Sequence, residues 1–237
     1  MQYRGDRVRF VFLLGLWALL APLPAQAGAI LGGSSLIDGD DVDQLASWLG
    51  EGDLTLTRIY TKSAGDTSAD FHAAADGKGA TFTLIELIND GVSRVVGGYS
   101  PLSWNSSGTY NFTADAAART AFLFNLTDAL LYAQFAPRQT YNHADYGPTF
   151  GGGHDLYIDG ALAGGHANIG HTYGDNTQFR SAAYREAFAG SYDSWTVGGL
   201  EVFTLAAVVI TVPEPAAWIV FAVGLVGLAG TRLRARR

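Results

Sequence analysis

Histidines and carboxylates are the groups in this 237-residue chain best suited to chemistry. Of its five histidines, His143, His154, His166 and His171 fall within 29 residues, among Asp145, Asp155, Asp159 and Asp175. Imidazole with carboxylate suits zinc, manganese or non-haem iron, which makes His154, His166 and His171 candidate metal ligands. No H-E-x-x-H helix accompanies them, so the competing reading is polar loop histidines near turns. Glu86 and Glu201 each lie inside an apolar strand pattern. Two carboxylates at the right separation can hydrolyse a glycosidic bond. Alternation places both on the solvent face, and a Glu201 buried against backbone donors is the other arrangement. Tyr99, Trp104, Tyr110, Tyr141, Tyr146, Tyr157 and Tyr173 offer rings for sugar stacking, with packing within and beside a sandwich as their default use. The acidic run Asp38 to Asp43 lacks the glycine and the glutamate of a calcium-binding EF-hand loop. It reads as the acidic start of a helix.

Several chemistries are excluded. The chain has no cysteine, which removes disulfides, thiolate zinc sites and a cysteine nucleophile. It has no G-x-S-x-G elbow, and Gly151-Gly-Gly153 lacks the Lys and Ser/Thr of a phosphate-binding loop. That glycine run reads as a tight loop passing close to a neighbour. No residue is therefore assigned a catalytic role, and no cofactor is expected. The net charge of −7 argues against nucleic acid as a partner, because phosphate binding needs clustered positive charge.

The charge is unevenly spread. Arg4, Arg7 and Arg9 open the chain and Arg232, Arg234, Arg236 and Arg237 close it. Residues 28–212 carry eight basic and twenty acidic side chains, near −12. Residues 1–27 have the charged, apolar and small-x-small parts of a secretory signal peptide, with Ala25 and Ala27 at the cleavage pattern. At the other end Pro213-Glu214-Pro215 precedes an apolar run, 216–230, and then the arginines. That run predicts a short transmembrane helix with its arginines on the cytoplasmic side. The two prolines keep the peptide before it extended and open to a protease. This three-part tail resembles the PEP-CTERM sorting signal of Gram-negative bacteria, with Gly224, Gly227 and Gly230 in its apolar part. The resemblance implies the export machinery and an exosortase as partners. It further implies a membrane-anchored intermediate at the inner membrane, then a cell-surface or extracellular protein in a setting rich in exopolysaccharide.

The elements between these ends must position any site. Val42, Leu45, Trp48 and Leu49 share one helical face and Gly50 follows as a cap. A second helix is predicted over Ser68–Ala75, with Thr67 and Asp70 at capping-box spacing. A brief helical turn is expected over 116–120 and a further helix over Ser181–Phe188. Strands are predicted over 54–60, 80–88, 92–96, 121–126, 155–158 and 200–205. A hairpin turn falls at Asn89-Asp90-Gly91, and a second at Asp159-Gly160 leads to Ala161-Leu162. No internal repeat or long linker divides residues 28–210, which read as one domain between the signal peptide, 1–27, and the sorting segment, 211–237.

The order of motifs resembles the TLDc domain. A helix carrying Trp48 precedes Leu56-Thr-Arg-Ile-Tyr60. The helix at Phe71–Ala75 leads to Gly79-Ala-Thr-Phe-Thr-Leu-Ile85. Val96-Gly-Gly-Tyr99, Trp104, Phe122-Leu-Phe124, Phe150-Gly-Gly-Gly153, Asp155-Leu-Tyr-Ile-Asp-Gly160, Gly165-His166 and Leu200-Glu-Val-Phe203 follow in turn. The resemblance implies an α+β, mainly β fold: a two-sheet antiparallel β-sandwich with a few flanking helices, joined here to the C-terminal transmembrane helix. Relatives in eukaryotes are linked to oxidative-stress resistance and to the vacuolar proton pump. The functional expectation is an exported, non-enzymatic binding module whose partner is an extracellular polysaccharide or a surface protein. The alternative is a secreted hydrolase, metal-dependent or carboxylate-based, acting on exopolysaccharide.

Overall fold

In the computed structural model, residues 28–207 are described. In chain order the elements are β1 (Ala29–Leu31), α1 (Gly39–Leu49), β2 (Leu54–Thr61), α2 (Ser68–Ala75), β3 (Thr81–Asn89) and β4 (Val92–Ser100). Next come β5 (Thr109–Phe112), β6 (Phe122–Asn125), β7 (Leu130–Ala133), β8 (Arg138–Asn142) and β9 (Thr149–Phe150). The series closes with β10 (Leu156–Ile158), β11 (Gly165–Ala167), α3 (Ala182–Ala189) and β12 (Thr196–Ala207). They form a seven-stranded sheet, β1-β2-β12-β3-β4-β6-β7, and a five-stranded sheet, β11-β10-β9-β8-β5. Pairing is antiparallel apart from β1 on β2.

The large sheet is apolar on both faces, and alternation decides which side chain goes where. Ile85, Leu87, Leu123, Leu200 and Val202 face the smaller sheet, where they meet Phe150, Leu156 and Ile158. Phe82, Leu84, Phe122, Phe124 and Phe203 face the opposite way and pack with Val42 and Leu45 of α1. Val96-Gly97-Gly98 of β4 crosses the middle with no side chain at two positions. A methyl group on Gly97 would stand 2.0 Å from the Thr83 carbonyl oxygen, and one on Gly98 2.7 Å from the Phe150 ring.

The helices start and stop by local signals. Asp38 accepts from the amides of Asp40 and Asp41, Asp41 accepts in return from Asp38, and Gly50 ends α1 in the left-handed region. Thr67 and Asp70 form the expected box at α2. The acidic run at Asp38 is thus a helix cap.

Some expectations are corrected. The C-terminal transmembrane helix is not among the elements: no helix of the described residues is long and apolar enough to cross a membrane. The longest has 11 residues, and the helices bury one face on a sheet, which needs only a few turns. The segment expected to span, 216–230, lies outside the described residues. The second hairpin closes later than predicted, with β10 pairing Gly165–Ala167 and not Ala161-Leu162. The stretch 127–149 contributes β7, β8 and the start of β9, and β5 was also unforeseen. These strands are two to five residues long, too short for alternation to stand out.

Candidate functional site

The register of the five-stranded sheet assembles the site. Tyr110 pairs with Tyr141 across β5 and β8. Tyr157 pairs with Thr149 across β10 and β9, and with His166 across β10 and β11. Directly paired residues share a face, so these side chains stand on the side away from the inter-sheet core. Strands lie about 4.8 Å apart, and the rings repeat at nearly that interval. Centroids of Tyr110 and Tyr141 are 4.7 Å apart, those of Tyr157 and His166 5.0 Å. Strand β9 offers only the buried Thr149 to this line. Tyr146, from the preceding turn, bridges the gap, 5.9 Å from Tyr141 and 4.9 Å from Tyr157. Tyr192 continues the row beyond His166, stacked at 5.3 Å.

The row is fixed at both ends. The Arg138 guanidinium lies 5.0 Å over Tyr110 and that of Arg185 4.8 Å over Tyr192. Arg185 is itself held by two hydrogen bonds to Asn168 Oδ1, at 2.7 and 3.1 Å. His143 and His154 flank the row at 4.7 and 5.8 Å from Tyr146 and Tyr157. Burial raises the Tyr110 and Tyr157 phenols, although Arg138 opposes this at Tyr110. Burial lowers His154 and His166, helped at His154 by the neighbouring His166 and opposed at His166 by Asp193. Near neutral pH Tyr110, Tyr157, His154 and His166 are therefore uncharged. Of the row's phenols, only Tyr110 spends its hydroxyl on a protein group among the described residues, the Gly152 carbonyl at 3.3 Å. A cavity of about 330 Å³ opens at the same end, between Phe112, Pro137, Arg138, Gly152, His171 and Thr172.

Three carboxylates outside the row hydrogen-bond within the fold. Asp155 is fully buried, and its carboxylate accepts from the amides of His171, Thr172 and Tyr173 at 2.8–3.3 Å. Burial pushes this carboxyl up to about 6 against the pull of those amides. Glu201 does not stand on the solvent face, as alternation had suggested. It is 1% exposed, on the α1 side of the large sheet beside Leu84 and Phe203. There it accepts from the Ser34 hydroxyl, from the Ser35 amide and hydroxyl at 3.1 Å, and from Arg58 Nη1 at 3.3 Å. It ties the approach to α1 onto β12. Glu86 is half-buried and accepts from the Ser93 hydroxyl at 2.7 Å.

His72 sits in a cleft lined by Thr67, Asp76, Ser106 and Asp145. Its Nδ1 meets Asp76 at 2.7 Å and its Nε2 meets the carbonyls of His143 and Tyr146. Ser106 donates to Asp76 and not to the imidazole. A serine nucleophile needs the reverse order, with the imidazole free to take its proton. The expected metal ligands do not converge. His154, beside the row, lies 6.2 Å from His166 within it, whereas His171 packs on Phe179. No group of three or more His, Asp or Glu among the described residues is placed to hold a metal ion. Trp104, Tyr99 and Tyr173 are buried, so packing claims them. The sorting residues Pro213, Glu214 and Pro215 and the cleavage residues Ala25 and Ala27 lie outside the described residues.

Sequence reasoning did not single out Tyr192 as part of a row or Asp155 as a clasp. The one signal for the row was residue type: Tyr110, Tyr141, Tyr146 and Tyr157 are among the rings offered for sugar stacking. A search of the curated proteins found no match. The TLDc domain family model matches residues 30–206, a span from β1 to the end of β12, and the chain belongs to the TLDc domain family.

Proposed function

We infer that the protein is an exported cell-surface or matrix protein, trimmed by an exosortase at Pro213-Glu214-Pro215. Its TLDc domain then acts as a non-enzymatic module that binds extracellular polysaccharide or a surface protein. The order of features at the two termini supports export. The acidic middle segment, which has no basic cluster for nucleic acid, supports the choice of partner. The commitment of Asp155, Glu201 and His72 to structural hydrogen bonds supports a binding role over a catalytic one. The observation that carries the reading is the ordered, half-exposed row of aromatic rings on the smaller sheet.

The test is to follow the full chain in its host with antibodies against the domain. The expected result is a surface or extracellular species whose mass lacks both ends. Replacing Pro213, Glu214 and Pro215 with alanine should leave the C-terminal segment attached. Intact full-length chain in the cytosol, with both ends retained, refutes the reading.

A further inference from the structure

We propose that the outer face of the five-stranded sheet is a track for a neutral, extended, β-linked polysaccharide, with one sugar seated near each ring. The proposal rests on the polysaccharide form of the function given above and specifies the surface and the ligand class. The track is Tyr110, Tyr141, Tyr146, Tyr157, His166 and Tyr192, with centroid steps of 4.7, 5.9, 4.9, 5.0 and 5.3 Å.

Three features select this ligand. A pyranose in an equatorially linked chain presents a flat C–H face. It advances by about one strand spacing per residue, and the rings, inclined at 23–79° to their neighbours, offer successive sugars an exposed face or edge in turn. The second feature is charge. Tyr110, Tyr157 and His166 are uncharged near neutral pH, on a domain with eight basic and twenty acidic residues between 28 and 207. A polyanion is repelled by that surplus, whereas a neutral polymer is indifferent to it. The third is rigidity. The register, the bridging Tyr146 and the arginine caps hold the rings in place before any ligand arrives. Little ordering entropy is then lost on binding. The phenols left without protein partners can meet sugar hydroxyls at the edges of the stacked faces.

The test is affinity electrophoresis of the whole processed protein through native gels that contain hydroxyethylcellulose, a soluble neutral β-1,4-glucan, or alginate, a polyanion. Retention on the polymer secreted by the host is measured in parallel. The wild type should be retarded by the glucan and pass alginate freely. Tyr141→Ala with Tyr157→Ala should weaken glucan binding by tenfold or more, while the phenylalanine pair at these positions keeps most of it. Tyr192→Ala, at the exposed end of the row, should weaken it several-fold without disturbing the fold. Equal retardation by alginate, no retardation by the glucan, or unchanged binding in the alanine variants overturns the proposal. If the host polymer holds wild type and alanine variants alike, the binding-module reading survives and this track does not. If the host polymer holds neither, and surface proteins do not bind, that wider reading falls as well.

Discussion

Asp155 offers a test of how the smaller sheet is held together. Its carboxylate is fully buried and clasps the amides of His171, Thr172 and Tyr173. In Asp155→Ala these three donors lose their acceptor, and each orphaned buried amide costs about 2 kcal/mol. The same change removes a desolvated charge. With the carboxyl pushed up to about 6 from 3.8, keeping it ionised at pH 7 costs about 3 kcal/mol. The two effects oppose, leaving a net loss of about 3 kcal/mol for the alanine variant.

Asp155→Asn separates them. Its amide oxygen can occupy the Oδ1 position, which accepts from all three amides, and it carries no charge. It should be more stable than wild type at pH 7, by up to about 3 kcal/mol. The folded carboxyl binds its proton more tightly than the unfolded one. Wild type therefore gains stability as pH falls from about 6 towards 4, and loses it as pH rises through that window. Between pH 7 and pH 4.5 the difference between wild type and Asp155→Asn should move in favour of wild type by about 2 kcal/mol. Urea unfolding at both pH values measures this. A difference that stays flat with pH, or an alanine variant within 1 kcal/mol of wild type by the argument from buried amides, refutes the reasoning.

Gly97→Ala places a methyl 2.0 Å from the Thr83 carbonyl oxygen and 2.9 Å from Phe124 Cζ. It should cost about 3 kcal/mol or more by forcing the central strands apart, read as a lower urea midpoint. Glu201→Ala frees the segment before α1 and leaves Arg58 without its carboxylate. A loss of about 3 kcal/mol is expected, together with faster amide exchange at residues 34–37. His154 and His166 are lowered from 6.5 by burial. The unfolded chain then binds protons more readily, so their contribution is present above about 6.5 and is lost as pH falls. His154→Phe should reduce the drop in urea midpoint between pH 7.5 and 5.5, and an unchanged drop counts against this account.

Much of the fold was legible because its signals are local. The caps of α1 and α2 are written in Asp38, Gly50, Thr67 and Asp70. The long central strands β3 and β12 announce themselves by apolar and β-branched runs over 80–88 and 200–205, and the turn at Asn89-Asp90-Gly91 fixes the β3–β4 register. The order of motifs along the chain was enough to place it near the TLDc domain. Composition alone removed thiol chemistry, and the net charge argued against nucleic acid.

The site was another matter. Tyr110, Tyr141, Tyr146, Tyr157, His166 and Tyr192 span 83 residues of sequence. They become neighbours only when four short strands, a turn and a loop are brought into register. The short strands carry too few residues for alternation to reveal which tyrosines face out and which, like Tyr173, are buried. Glu201 shows the same limit. Period-two alternation gives two faces, but it cannot tell that the second face of the large sheet is also covered, here by α1 and the serines before it. Local free energies set the elements, whereas burial is a property of what packs against them. Tertiary structure therefore decided which polar groups were taken into the fold and which rings stayed half-exposed.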